Sequence, residues 1–420
     1  MDGDVDMRQW HAFSSIAIVG ICLLASPDAS AQPKEYRAQV TVAARDSDRE
    51  NTPVYLDVQM PAALAKAELS SLRAYLLPKE QAAPVPGQLD RLEAMAEGTV
   101  RVWWLLPACK AGEQPSFTLV IAPADRMPAG GFVWQDEPGD HLELVFEGRP
   151  ALRYEYRFDP ADLENTKKTF HQVFSPDGKR LITKGPGGRY PHHRGIFIGW
   201  NRTEYDGKRA DFWHCTGGIH SRHDGFIENV AGPVLARSVM KVNWNDAEGE
   251  PVVKEQRELT VFRQPGPFSL IEFVSTLRSA GDVVKLSGDM HHAGIQFRAA
   301  DEVNDRQDET RYIFPTDAMK GAELPKEPWV GMSFALGEDR YTVCQMNHTD
   351  NPAETTYSDT ERKYGRFGAF FTHELEPDEP LTVKYRFLVH QGAEPPSPEL
   401  LHARYLDFVR SPTVTLSAAT

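Results

Sequence analysis

The chain has 420 residues and a formal net charge of −14 at pH 7, from 60 acidic against 46 basic side chains. An acidic surface of this kind argues against nucleic acid or an anionic membrane as partner. The length allows two domains, or one large β domain with an attachment.

A secretory signal needs a basic start, an apolar core and a small-residue cleavage site. Ser14 to Ala25 supplies the core through Ile16, Ile18, Val19, Ile21, Leu23 and Leu24, and Ala29-Ser30-Ala31 supplies the cleavage site. Residues 1–31 therefore read as a signal peptide, and the chain as an exported protein of the periplasm or extracellular space. Asp2, Asp4 and Asp6 precede the single basic residue, Arg8, so a start at Met7 gives a more ordinary beginning. The apolar core is too short to remain as an anchor, and no later stretch is apolar enough to span a bilayer. Removing Asp2, Asp4, Asp6 and Asp28 together with Arg8 leaves a net charge of about −11. It also removes Cys22. Cys109, Cys215 and Cys344 remain, at spacings that match no disulfide framework or zinc ribbon but allow one bridge.

From Gln32 onward, Gly, Pro, Asn or Asp punctuates the chain roughly every 8–12 residues, with frequent period-2 alternation between. The fold class is therefore all-β: a small N-terminal β-sandwich over 32–125, then a large β-sandwich domain over 132–410. Strands are expected at Tyr36–Ala44, Val100–Leu106 and Ser116–Ala122 in the first unit. In the second they are expected at His141–Phe146, Arg153–Phe158, Lys254–Phe262, Leu270–Leu277 and Leu381–Val389. Long helical periodicity is scarce, and Ala62–Glu68 and Pro398–Phe408 are the better helix candidates. Pro123 to Gly131 is a linker by composition, and residues 411–420 read as a loose tail.

The chemistry concentrates in the larger domain. Of 14 histidines, five fall between 192 and 223, in PHHRGIFIGWN and DFWHCTGGIHSRH, and His291 and His292 open HHAGIQFR. Imidazole is the natural proton-transfer and metal-binding side chain near neutral pH. Strand parity places His292, Gln296 and Arg298 on one face with Gly294, and His291, Ala293, Ile295 and Phe297 on a core-like face. His192, His193, His214 and His292 are the candidate acid–base residues. Arg194, Trp200, Trp213, Arg222, Gln296 and Arg298 are candidate substrate contacts, because a sugar ring offers C–H faces to aromatics and hydroxyls to fixed polar groups. His214, His220 and His223 could instead hold one divalent metal ion. KGPGGRY, Lys184 to Tyr190, reads as a pocket rim.

Together, PHHRGIFIGW, DFWH, VCQMNHTDNP, YGRFGAFF and YRFLVHQG resemble the PmoA-like family of exported bacterial proteins, from about Arg149 to Gly392. The family label refers to methane oxygenase; that activity needs several membrane helices and is not expected here. The resemblance implies a β domain similar to the galactose mutarotase-like supersandwich, with His and a carboxylate moving protons on a sugar. Glu255, Glu258, Glu272 and Asp301 are the candidate carboxylates. Two functions follow: a carbohydrate-active enzyme for elimination, hydrolysis or epimerisation of a glycoside, or a non-catalytic glycan-binding protein.

Overall fold

β-branched and aromatic residues between frequent turn formers give, in the computed structural model, four antiparallel sheets. Residues 35–79, 83–124, 130–320 and 324–419 are described. The signal peptide expected over 1–31, and residues 125–129 of the expected linker, lie outside them. Among the described residues no helix is long and apolar enough to cross a membrane.

The first sheet has seven strands, in the order Thr52–Gln59, Thr99–Leu106, Val85–Asp90, Leu72–Pro78, Ser116–Pro123, Tyr36–Ala43 and Thr413–Ala419. Its two edge strands approach one another, so the sheet curls around its own core of Val40, Leu76, Val102, Trp104 and Leu119. The expected loose tail is therefore a strand. Val414 lies opposite Val42, and the β-branched run Thr413-Val414-Thr415 covers an edge that would otherwise expose unpaired backbone groups. The Trp103-Trp104 pair splits as strand parity requires: Trp104 is core, and Trp103 donates from Nε1 to Asp90 Oδ2 at 3.2 Å.

The larger body is built on two eight-stranded sheets. One carries Ile196–Trp200, Ala293–Arg298 and Arg366–Phe370 side by side with Phe170–Val173 and the strands from Phe132 to Glu155. The other runs from His220–Ala231 through Pro251–Phe262 and Leu381–Gln391 to Arg311–Ile313. They share one core, to which Leu144, Ile196 and Phe297 contribute from the first sheet and Met240, Leu259, Phe273 and Phe387 from the second. A four-stranded sheet from Arg202–Tyr205 and its neighbours completes the fold. The long helix, Pro398–Val409, starts at Ser397, whose Oγ accepts from Leu400 N at 3.3 Å. The shorter one stops at Ala65. Cys109, Cys215 and Cys344 are buried free thiols, so the bridge that their number allowed is not formed.

Polar contacts between buried groups join the seven-stranded sheet to the larger body. Arg237 donates to Asp90 at 2.6 and 3.0 Å and to Glu228 at 2.8 Å. Gln88 Oε1 accepts from Val234 N at 3.0 Å and Leu235 N at 2.9 Å. Removing one partner of a buried pair leaves the other charge uncompensated. Asp90→Ala is expected to destabilise the fold by about 3 kcal/mol in urea unfolding; a loss below about 1 kcal/mol, the range of exposed pairs, would show that this junction is not held by the pair.

Candidate functional site

The site lies on the face of the first eight-stranded sheet that points away from the core. Ile196, Ile198 and Trp200 point inward, as do Ala293, Ile295 and Phe297 of the neighbouring strand. Phe197, Gln296 and Arg298 therefore occupy the opposite face, as their parity predicts. That face is roofed: Trp213 lies over Phe197 with ring centroids 4.7 Å apart, and Arg298 donates to the carbonyl of Tyr364. Two glycines let the backbones approach. A Cβ on Gly199 would sit 2.5 Å from Phe212 O, and one on Gly294, at φ +84, would sit 2.0 Å from Ala369 O.

Two short turns present histidines at this roof, and both have the pattern Asp-x-x-His. Asp211 Oδ1 accepts from the backbone N of Trp213 and His214 at 3.0 and 2.8 Å, and its Oδ2 pairs with His214 Nδ1 at 2.8 Å. Asp289 repeats the arrangement. Its Oδ1 takes His291 N at 3.0 Å and His292 Nδ1 at 2.8 Å, while Oδ2 takes Asn201 Nδ2 at 2.7 Å. The rings of His214 and His292 are 5.1 Å apart, and His192 lies 4.5 Å from His214. Burial pushes the Asp211 carboxyl up, but the hydrogen bonds from His214 outweigh it and hold the group below its usual range. Asp289 behaves likewise through His292 and Asn201. Each carboxylate occupies Nδ1 and leaves Nε2 for chemistry.

His192 is shifted down to about 3, first by burial and then by the charges of Lys168 and His214. His193 is lowered further, by burial, Arg366 and His192. Both are neutral at physiological pH. Beside them opens a cleft of ≈ 550 Å³, walled by His192, His193, His292, Tyr190, Tyr364 and Arg362, with Arg366, Asn304 and Gln307. Tyr190 and Tyr364 are 5.4 Å apart. The expected rim thus contributes Tyr190, while Lys184 is buried against Asp301 at 2.6 Å.

The other expected site residues lie elsewhere. Trp200 is fully buried in the core, its Nε1 on Phe371 O at 2.9 Å. Trp213, Gln296, Arg194 and Arg298 are at most 1% exposed and do not line the cleft. Arg222 is exposed over Phe158 on a separate strand. His220 is fixed by Gly218 O at 2.8 Å and Asn245 Nδ2 at 3.1 Å. His223 packs on Tyr156 and is lowered to about 4 by burial. His214, His220 and His223 are not brought together: among the described residues the one group of His and carboxylates close enough to share an ion is His291, Asp359 and Glu361. His291 is half-buried in the turn before the strand and bonds Asp359 Oδ1 at 3.0 Å, so it is not core. Of the expected carboxylates, Glu255 is buried against Arg257, Glu272 pairs with Arg386, and Asp301 lies behind the cleft with Lys184. Glu258, mostly buried, bonds Thr260.

A family model matches residues 141–403, well over half of the chain, and spans every residue of this site. The chain belongs to DUF6807, a family of unknown function. The match does not carry the PmoA-like label that the motifs resemble. No curated protein matches the chain. Among solved structures it is similar to one described as a protein in the glycosyl hydrolase family 38 from Enterococcus faecalis, at 11% identity over 92% of this chain, with a TM-score of 0.46. This DUF6807 chain spans about half of that structure, 48% of its length. A second, Pseudomonas aeruginosa OccK7 (OpdD), has 11% identity over 85% of this chain and 98% of its own, with a TM-score of 0.13. Likenesses this distant say nothing about activity.

Sequence reasoning passed over Asp211, Asp289, Lys168 and Arg362. The Asp-x-x-His repeat was a readable signal for the first two. Lys168 is buried, 3% exposed, and donates to the carbonyls of His192, at 2.8 Å, and of Trp213. Burial lowers it from 10.5 to about 7. A depressed lysine penalises the folded state wherever the unfolded chain holds the proton. That penalty is full below about pH 7 and vanishes above about pH 10.5. Stability should therefore rise with pH across this window, and Lys168→Met should flatten that rise by up to about 1.4 kcal/mol per pH unit. Parallel wild-type and variant profiles from denaturant unfolding would overturn the assignment.

Proposed function

We propose that this chain is an exported carbohydrate-active enzyme that moves protons on a sugar with paired histidines, in elimination, hydrolysis or epimerisation of a glycoside. The observation that carries the reading is the convergence of two carboxylate-oriented imidazoles, Asp211–His214 and Asp289–His292, with ring centroids 5.1 Å apart. Nδ1–H on a carboxylate leaves a lone pair on Nε2, which makes each ring a base, and the carboxylate stabilises the imidazolium that follows. In elimination one ring takes a C–H proton of the sugar while the other, protonated, gives one to the leaving oxygen; in hydrolysis the base takes the proton of an attacking water instead, and in epimerisation one ring removes a C–H proton and the other returns one to the same carbon. His192, held neutral, serves as a hydrogen-bond partner. Tyr190 and Tyr364 offer aromatic edges and faces for a sugar ring. The export reading comes from the N-terminal segment, and the motif resemblance to PmoA-like proteins with a mutarotase-like β domain is in keeping with sugar chemistry.

His214→Ala and His292→Ala are each expected to lower turnover by about 10²–10⁴-fold with glycan binding retained. Loss of binding alone would favour the second reading, a glycan-binding protein without turnover.

A further inference from the structure

We infer that the sugar taken by this cleft is anionic, a glycoside bearing a carboxylate or sulfate that is held on Arg362. The inference rests on the carbohydrate reading above and names its substrate class. It starts from charge. The chain as a whole is at −14, yet none of the nine residues that line the cleft is an Asp or Glu. Of the carboxylates nearby, Asp359 and Asp301 lie behind the lining in ion pairs, and Glu361 is exposed beside Arg362.

The cations are in excess. Arg362 and Arg366 share Asp359, with Arg362 Nη1 3.3 Å from its Oδ1, and Arg362 Nε also lies 3.5 Å from Glu361 Oε1. Lys184 and Arg298 share Asp301, at 2.6 and 3.3 Å. Lys168 and Arg194 have no carboxylate partner among the described residues. Lys168 is held by two carbonyl oxygens, and Arg194 by those of Pro191, His193 and Glu164. Positive groups in a poorly solvated wall focus a field into the opening. The field is visible in the histidines, since charges on Lys168, Arg366 and Arg298 add to burial in keeping His192 and His193 unprotonated. Two polar atoms in this wall, His193 Nδ1 and Arg298 Nε, have no hydrogen-bond partner in the protein.

A neutral sugar would leave this excess uncompensated, whereas an anionic one completes it. Arg362 is the cation placed to do so. It lines the cleft with its side chain 42% exposed, and its planar fork matches a carboxylate or sulfate oxygen pair. Tyr364, beside it, can take the ring.

The test is calorimetric binding of uronic acid trimers, sulfated galactotriose and matched neutral trimers to the full chain, at two salt concentrations. An anionic sugar should bind at least tenfold tighter than its neutral counterpart and weaken with salt. Arg362→Gln should remove about tenfold of that affinity and Arg362→Lys should restore part of it. Uronide or sulfated sugar as the preferred class identifies the anion. Neutral sugars binding as tightly would overturn the inference while leaving the carbohydrate reading intact. An anionic preference unchanged in Arg362→Gln would overturn the assignment to Arg362. Binding of no sugar of any class would sink the carbohydrate reading itself.

Discussion

The histidine wall depends on a buried lysine that has no carboxylate within ion-pair distance among the described residues and that burial lowers to about 7. Lys168 donates to the carbonyl oxygens of His192 and Trp213 and lies 4.1 Å from the Phe197 ring centre. The segments that carry His192 and His214 are irregular here, so their carbonyls have no strand partner, and buried backbone oxygens need donors. Arg194 does the same for Pro191, His193 and Glu164. Two cations thus replace the hydrogen bonds that a regular element would have supplied. The cost is positive charge without a carboxylate at ion-pair distance, which burial answers by lowering Lys168 to about 7.

That charge divides the histidines into two kinds. His192 and His193 lie against cations and are kept neutral. His214 and His292 each have their own carboxylate on Nδ1, and at His292 that carboxylate opposes a lowering that burial, Arg366 and His214 nevertheless win. In the proposed reaction, proton transfer falls to the second kind and hydrogen bonding to the first. The His291–Asp359–Arg366 contacts stand apart, because Asp359 is fully buried and bonded to two guanidiniums. Its hydrogen-bonding capacity is largely spent on them, which makes it a support for Arg362 and Arg366 more than a reactive group.

How much of this was legible depended on whether a residue's role is local. The strands at His141–Phe146 and Leu381–Val389 show their period-2 pattern in their own residues, and both form. The parity of HHAGIQFR separated Ile295 and Phe297 from Gln296 and Arg298 correctly. Parity gives the face but not what covers it. Gln296, Arg298 and Trp213 therefore read as ligand contacts when a roof of loops buries them. Trp200 was misplaced because it faces the core, and His220 because Gly218 O and Asn245 take its ring nitrogens. The tail failed differently: Thr413–Ala419 is short and becomes a strand only because Tyr36–Ala43 offers an edge across the chain. Lys168 gave no signal at all, since a lysine reads as solvated unless its surroundings are known.

The two histidine turns are nonetheless tied to one point in the fold. Phe212 N bonds Trp200 O at 2.9 Å, and Asn201 N bonds His292 O at 2.9 Å. Adjacent residues at the end of one strand thus anchor the turn of Asp211–His214 and that of Asp289–His292. Asn201 also holds Asp289 through its side chain. The anchor is rigid because Trp200 is locked in the core against Trp244 and Phe371, and because Gly199 lets the Phe212 carbonyl settle onto the strand. The proposed proton transfer needs a fixed separation of the two imidazoles, and a common anchor supplies it better than two independent loops would. Trp200, whose aromatic face looked like a platform for sugar, is then the foundation that sets the distance between the two imidazoles.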